Sequence, residues 1–143
     1  TLKENLSTYL NKFRLISDSV DILDAKIINL GINFEITIRK GSPKNTILQS
    51  VKSRLVNYFD IENFQIDQPI ILGEIENLIL NTNGVMSIIS LRIFNKTGVV
   101  DNKAYSLERY SVARFLDRGL LFPPKGGIFE VRYLLDDIKG KCL

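Results

Sequence analysis

Residues 28–38 read INLGINFEITI, and every second side chain in this stretch is large and apolar. The apolar positions are Ile28, Leu30, Ile32, Phe34, Ile36 and Ile38. A repeat of two predicts a β-strand that packs one face on a core and turns the other toward water. We therefore expect a central strand over residues 25–40, around which the neighbouring segments are arranged.

The segment after this strand alternates between helical and extended patterns. Ser42 and Pro43 are typical of a helix start, with Ser42 as the N-cap and Pro43 at the first helical position. Apolar residues at helical spacing then predict a helix to about Phe59. A short strand is expected within 64–72, a second helix over 73–81 and another strand over 85–94. The predicted inward positions of the second helix are Ile75, Leu78 and Ile79, and those of the last strand are Val85, Ile89, Leu91 and Ile93, with Met86 and Ile88 on its other face.

Residues 25–95 thus read β-α-β-α-β, which predicts an α+β domain built as a two-layer sandwich with both helices on one face of a small sheet. Apolar residues at helical spacing predict a short amphipathic helix over 2–14, so residues 1–24 are expected to be a helix and a connector. Residues 96–143 contain short apolar pieces interrupted by Gly and Pro. We expect this last third to be an irregular, β-rich extension that packs on the domain or on another subunit.

The composition excludes several kinds of chemistry. The chain has no histidine and one cysteine, Cys142, so a structural zinc site and a Ser-His-Asp or Cys-His arrangement are excluded. Carboxylates remain, and Asp60, Glu62 and Asp67 lie near one predicted turn, but without the regular oxygen spacing of a calcium loop. We therefore expect no catalytic residue, metal or cofactor, no small-molecule substrate and no membrane span.

Charge is the basis of one alternative function. The net charge is +3, and residues 96–143 hold nine Lys or Arg against six Asp or Glu, whereas the preceding residues are balanced. An α/β module that binds nucleic acid through this basic last third is the alternative hypothesis. The excess is small and cations alternate with carboxylates, as in Glu108-Arg109, so a solvated mixed-charge surface is the preferred interpretation.

One apolar cluster in the last third is a candidate interface. Large apolar side chains gather around a single turn, at Phe115, Leu116, Leu120, Leu121 and Phe122. A cluster of this kind is costly to leave in water, so it either contacts another subunit or covers the end of the sheet of its own domain. The sequence does not separate these two roles.

The order of several short motifs resembles a known family. The motifs are NLSTYL at 5–10, FRLISD at 13–18, VDILD at 20–24, the strand at 27–38, YFDI at 58–61, QPI at 68–70, NGV at 83–85, FPP at 122–124, IFEV at 128–131 and DIKG at 137–140. In this order they resemble the C-terminal part of the baseplate wedge protein of T-even-like contractile-tailed phages, which belongs to the baseplate-J-like group. The resemblance covers nearly the whole chain.

This resemblance implies a structural subunit rather than an enzyme. Wedge proteins of this kind dimerise, contact other wedge subunits and join into a ring around the tail tube. The implied location is the virion tail baseplate, assembled in the host cytoplasm. The family's function depends on surfaces and not on a signature site, so the resemblance implies no catalytic residue and no cofactor.

Overall fold

A computed structural model describes Lys3 and residues 25–143 of the chain. The predicted N-terminal helix over 2–14 and the connector that follows it lie outside the described residues. In chain order the elements are β1 (Lys26–Ile38), α1 (Lys44–Tyr58), a 3-10 turn (Ile61–Asn63), β2 (Ile70–Ile71), α2 (Leu72–Leu80), β3 (Val85–Asn95), β4 (Val99–Val100), β5 (Lys103–Ala104), α3 (Val112–Phe115), β6 (Leu116–Asp117), β7 (Leu120–Leu121), β8 (Gly127–Glu130), α4 (Leu134–Asp137) and β9 (Ile138–Cys142).

The central strand of the main sheet is β1, and its alternation matches the sequence. The side chains of five alternate residues are at most 1% exposed, and these are Ile28, Leu30, Ile32, Phe34 and Ile36. On one side β1 pairs with β3 in antiparallel orientation. On the other side it pairs in parallel with β8 near its start and with β9 further along. The predicted α+β class is confirmed.

Helices α1 and α2 contact each other and pack over opposite edges of the main sheet, α1 over β9 and α2 over β3. Helix α1 buries Ile47, Val51 and Leu55 against the core. The predicted cap is wrong by one residue, because the helix begins at Lys44 and Pro43 is the N-cap. The backbone of Pro43 is extended, with φ −75° and ψ 108°, and no side chain caps the helix.

Strand β3 departs from the simple alternation that the sequence predicts. Two register shifts leave Met86 and Ile89 without a partner on β1, and these side chains are 63% and 47% exposed. A bulge of this kind inserts an extra residue and reverses the inward and outward positions that follow. The predicted inward position of Ile89 is therefore wrong, and Ile88 lies opposite Ile36 and packs against the core.

The last third of the chain shares the core of the preceding residues. Strands β8 and β9 complete the main sheet, and the buried cluster includes Tyr110, Leu121, Phe129, Val131 and Ile138. Residues 96–143 thus pack on residues 25–95, one of the two expected arrangements, and share their core. The parallel pairs join residues about a hundred positions apart, such as Ile28 with Phe129, and local patterns carry no signal for such a pairing.

A substitution at Gly140 would test the packing of β9 on β1. A Cβ atom at Gly140 would lie 2.0 Å from Cζ of Phe34, whose ring is fully buried. We expect Gly140→Ala to lower the free energy of unfolding by about 2 kcal/mol, because overfilling a close-packed core displaces its neighbours. The measurement is urea unfolding followed by circular dichroism.

The matched control is Gly73→Ala, at an exposed helical position where the added Cβ meets no atom within 4 Å. This change should leave stability unchanged or raise it by up to about 1 kcal/mol, because alanine favours helix. Equal effects at both glycines would contradict the described packing of Phe34 on β9.

Candidate assembly interface

The cluster predicted from the sequence folds into a small second sheet. Strands β6 and β7 form a tight hairpin, and β2 pairs with the other edge of β7. Arg118 and Gly119 make the turn with φ angles of +52° and +78°. Two successive positive φ values are typical of the two-residue turns that match the twist of a hairpin.

Five partly exposed apolar side chains lie on and next to this small sheet. By the register Ile71 and Leu120 share one face, whereas Leu116 lies opposite Leu121 on the other face. Ile71, Phe115, Leu116 and Phe122 are between 37% and 41% exposed, and Leu120 is half-buried. We call these five residues the hairpin patch. Exposed apolar side chains are common singly, whereas five of them around one hairpin make it a candidate interaction surface.

Leu121 is the member of the predicted cluster that the structure places elsewhere. Its side chain is fully buried, and it pairs across the sheet with Ile70, which is also fully buried. Successive residues of a strand face opposite sides, so Leu121 belongs to the core while Leu120 and Phe122 lie nearer solvent. Leu121 thus covers its own domain, and the other four predicted residues remain at the surface.

Tyr110 fixes the hairpin patch to the main sheet. Its ring stacks on Phe115 at 5.1 Å between centroids and meets Phe129 edge-on at 5.4 Å. Its hydroxyl donates a hydrogen bond to the carbonyl of Phe122, and its backbone N–H donates to Oδ1 of Asn95 at 3.0 Å. Burial raises the pKa of Tyr110 to about 12, so the hydroxyl remains a donor at neutral pH. No periodic pattern in the sequence predicts a role for Tyr110, because the residues on either side of it are polar.

Charges of both signs surround the hairpin patch. Arg114, Asp117 and Arg118 are exposed and lie on or beside the hairpin. In the part of the chain that the structure describes, none of the three enters an ion pair. The guanidinium of Arg114 lies 5.7 Å from the ring centre of Phe115. A rim with both signs can be complementary to itself when two copies meet face to face.

A buried amide joins the segments that follow β3 to the sheet. Asn29 is fully buried on β1, and its side chain accepts a hydrogen bond from Ser106 N–H at 2.6 Å. The same amide donates to Oε1 of Glu130 at 2.7 Å. The carbonyl of Asn29 accepts from the side chain of Asn95 at 2.9 Å. A buried amide is stable only when its donors and acceptors are satisfied, so Asn29 specifies how three distant segments meet.

A second buried cluster lies beside it, around Asp137. The carboxylate is 1% exposed, and its Oδ1 lies 3.0 Å from Nζ of Lys96 and 2.7 Å from the donating hydroxyl of Tyr105. Burial, together with this hydrogen bond to Asp137, raises the pKa of Tyr105 above its ordinary value. The cluster ties α4 to the end of β3 and to the β4–β5 hairpin. Its Oδ1 is engaged in the fold, which favours a structural role, while its buried Oδ2 accepts no hydrogen bond from a described group.

The other candidate chemical groups are also used within the fold. Asp60 accepts a hydrogen bond from the backbone N–H of Glu62, and Asp67 accepts one from Gly126. Among the described residues no group of three or more His, Cys, Asp or Glu is placed to hold a metal ion. Burial raises the pKa of the Cys142 thiol, which disfavours the reactive thiolate.

The cations of the last third are divided between ion pairs and open surface. Three of them are paired, as Lys96 with Asp137, Lys103 with Asp136 and Arg132 with Glu130. The hydrogen bond from Lys103 to Asp136 raises the pKa of this exposed lysine. Within the described part of the last third, these pairs reduce the positive charge available to a phosphate backbone.

Comparisons with known proteins give no assignment. No model of a known protein family matches this chain, and no curated protein matches it. None of the helices within the described part is long and apolar enough to cross a membrane. The hairpin patch is therefore the feature of the described surface from which function can be argued.

The neighbouring residues Asp136 and Asp137 provide a matched test of the buried cluster. We expect Asp137→Asn to lower the free energy of unfolding by about 3 kcal/mol, because it leaves Lys96 partly buried without its counter-charge. Asp136→Asn removes a pair that is largely exposed, with side chains 31% and 57% accessible, and should cost less than about 1 kcal/mol. Urea unfolding of both variants measures the difference, and equal losses would contradict a structural role for the buried pair.

Proposed function

We propose that the protein is a structural assembly subunit that forms a homodimer through the hairpin patch. In the setting that the sequence resemblance implies, the dimer is part of a baseplate wedge in a contractile phage tail. It contacts other wedge subunits and contributes to the ring around the tail tube. The observation that carries this proposal is the apolar surface of the hairpin patch, which the fold holds rigidly through Tyr110.

The size of the hairpin patch predicts a dimer of modest affinity. Burying the remaining exposed part of each large side chain contributes about 1 kcal/mol, or roughly 10 kcal/mol for the five side chains of each of two copies. Association itself costs an estimated 4–15 kcal/mol or more in lost freedom. The free energy gained by burying the apolar patch is thus comparable to the cost of association. A stable dimer therefore needs additional contacts from the charged residues at the rim. We therefore expect association that depends on concentration and on salt.

The rim supports a symmetric arrangement of two copies. Across a two-fold axis the same surface of each copy is in contact, so each residue contacts its counterpart or a near neighbour of it in the other copy. Asp117 of one copy can then face Arg114 or Arg118 of the other, which turns unpaired charges into intermolecular pairs. This arrangement also accounts for the mixture of signs, because a rim of one sign would repel its copy.

The chemical content of the described surface is consistent with an assembly role. Among Asp60, Glu62 and Asp67, the carboxylates of Asp60 and Asp67 accept hydrogen bonds within the fold, and the thiol of Cys142 is half-buried. The sequence lacks histidine, the usual general base near neutral pH. We propose on these grounds that the protein acts through its surfaces and not as an enzyme.

Point substitutions test this proposal better than truncation, because deleting residues 96–143 would remove β8 and β9 from the main sheet. We expect Phe122→Glu and Leu116→Glu to abolish the dimer, since each places a charge in the apolar contact. The measurement is molar mass by light scattering after size exclusion, over a series of concentrations.

The matched control is Leu135→Glu, at an apolar position on α4 that is 79% exposed and lies outside the hairpin patch. It should associate as the unmodified chain does. Circular dichroism establishes that all three variants fold. An unmodified chain that remains a monomer at every concentration, or patch variants that dimerise with full strength, would overturn the proposal.

A further inference from the structure

Part of the second face of the main sheet is covered by none of the described helices and strands. The first face packs on α1 and α2, and residues after β3 cover the start of β1 on the second face, where Asn29 and Gly31 are buried. Further along β1 the paired residues on the second face are polar, and the exposed apolar residues Met86 and Ile89 lie next to them on β3. We call this part of the second face the open face, and its residues are Asn33, Glu35 and Thr37 on β1, Ser87, Ser90 and Arg92 on β3, and Lys139 and Lys141 on β9.

The register arranges the charges of the open face in rows. Asn33 lies between Arg92 on one neighbour and Lys139 on the other. In the next row Glu35 lies between Ser90 and Lys141. Arg92, Lys139 and Lys141 are all exposed, whereas Glu35 is half-buried. The open face thus presents three cations to solvent around a single carboxylate.

These three cations are not used by the fold. Within residues 25–143 the side chains of Arg92, Lys139 and Lys141 enter no ion pair and no hydrogen bond. The cations close to them in the chain behave differently, because Lys96 and Arg132 each pair with a carboxylate. An excess of unpaired positive charge on one flat surface is complementary to an acidic partner.

A second observation lies in the middle of the open face. Oδ1 of Asn33 is buried, and no described group donates a hydrogen bond to it. Buried polar atoms are normally satisfied, so this acceptor can take a hydrogen bond from a partner or from water. A peptide can supply both N–H donors for Asn33 and carboxylates for the flanking cations, whereas a phosphate backbone supplies acceptors only.

The geometry of β9 defines the shape of this partner. Among the described strands β9 pairs only with β1, so its outer edge has no strand beside it. Lys139 and Lys141 are two residues apart, which places them about 7 Å from each other on the same face of the strand. Lysines on an edge strand keep a second copy from pairing there, because like charges would lie opposite each other. The same lysines favour a strand with alternate carboxylates.

We propose that the open face binds an extended acidic segment of a different protein, which lies along β9 with alternate carboxylates on Lys139 and Lys141 and within reach of Arg92. This inference goes beyond the proposed homodimer, because it assigns a second surface to a partner of opposite charge. Nucleic acid is not proposed as a partner of the open face. The ring of Phe94 is packed over Gly31, and none of the residues that define the open face is aromatic, so this face offers no aromatic platform for bases.

The test uses a fluorescent peptide of alternating glutamate and valine, its glutamine and lysine counterparts, and a single-stranded oligothymidine. Fluorescence anisotropy at low salt measures binding to the full chain. We expect the glutamate peptide to bind, and the glutamine peptide to bind at least about tenfold more weakly, given two surface ion pairs. In the double variant Lys139→Glu with Lys141→Glu, affinity for the glutamate peptide should fall by about tenfold or more, and the lysine peptide should now bind.

The matched control is the double variant Arg54→Glu with Lys125→Glu, which makes the same change in net charge at exposed positions outside the open face. It should bind the glutamate peptide as the unmodified chain does. Equal losses in both double variants would overturn the proposal, since the attraction would then come from net charge alone. Failure of the unmodified chain to bind the glutamate peptide, or tighter binding of oligothymidine that Lys139→Glu removes, would also overturn it. Neither outcome bears on the homodimer, which uses the hairpin patch.

Discussion

The pairing of β1 with every other strand of the main sheet is the constraint on which the rest of the structure depends. One strand holds β3 on one side and both β8 and β9 on the other, so its register sets the position of segments up to a hundred residues away. A slip by one residue would move Leu30 and Phe34 out of the core and the buried amide of Asn29 into it. The regular alternation of β1 prevents such a slip.

The pairing of β1 also determines which surfaces of the protein are available to other molecules. Where residues after β3 fold back over β1, Asn29 bonds to Ser106 and Glu130, and Asp137 pairs with Lys96, so these buried groups hold the last third in place. This arrangement presents the hairpin patch at one site, where Tyr110 supports it. It leaves the open face with charges that the fold does not use. One surface is suited to a second copy and the other to an acidic partner, as expected of a subunit with several neighbours.

The sequence predicted the parts of the fold that local periodicity encodes. The repeat at 28–38 and the helical spacing of Ile47, Val51 and Leu55 were sufficient for β1, α1 and the α+β class. The bulges at Met86 and Ile89 were missed, because an inserted residue leaves no mark on composition. The union of the last third with the core was missed because parallel pairing joins distant residues. For the candidate interface, the apolar cluster was visible, but the burial of Leu121 and the support from Tyr110 depend on tertiary contacts.

Amide hydrogen exchange at two protein concentrations, roughly a hundredfold apart, tests the central claim most directly, because mass action shifts only groups that an interface covers. The account predicts that residues 115–122 and Ile71 gain protection at the higher concentration, while the amides of β9 do not change. Protection that does not depend on concentration at residues 115–122, or that increases at β9 instead, would contradict assembly through the hairpin patch.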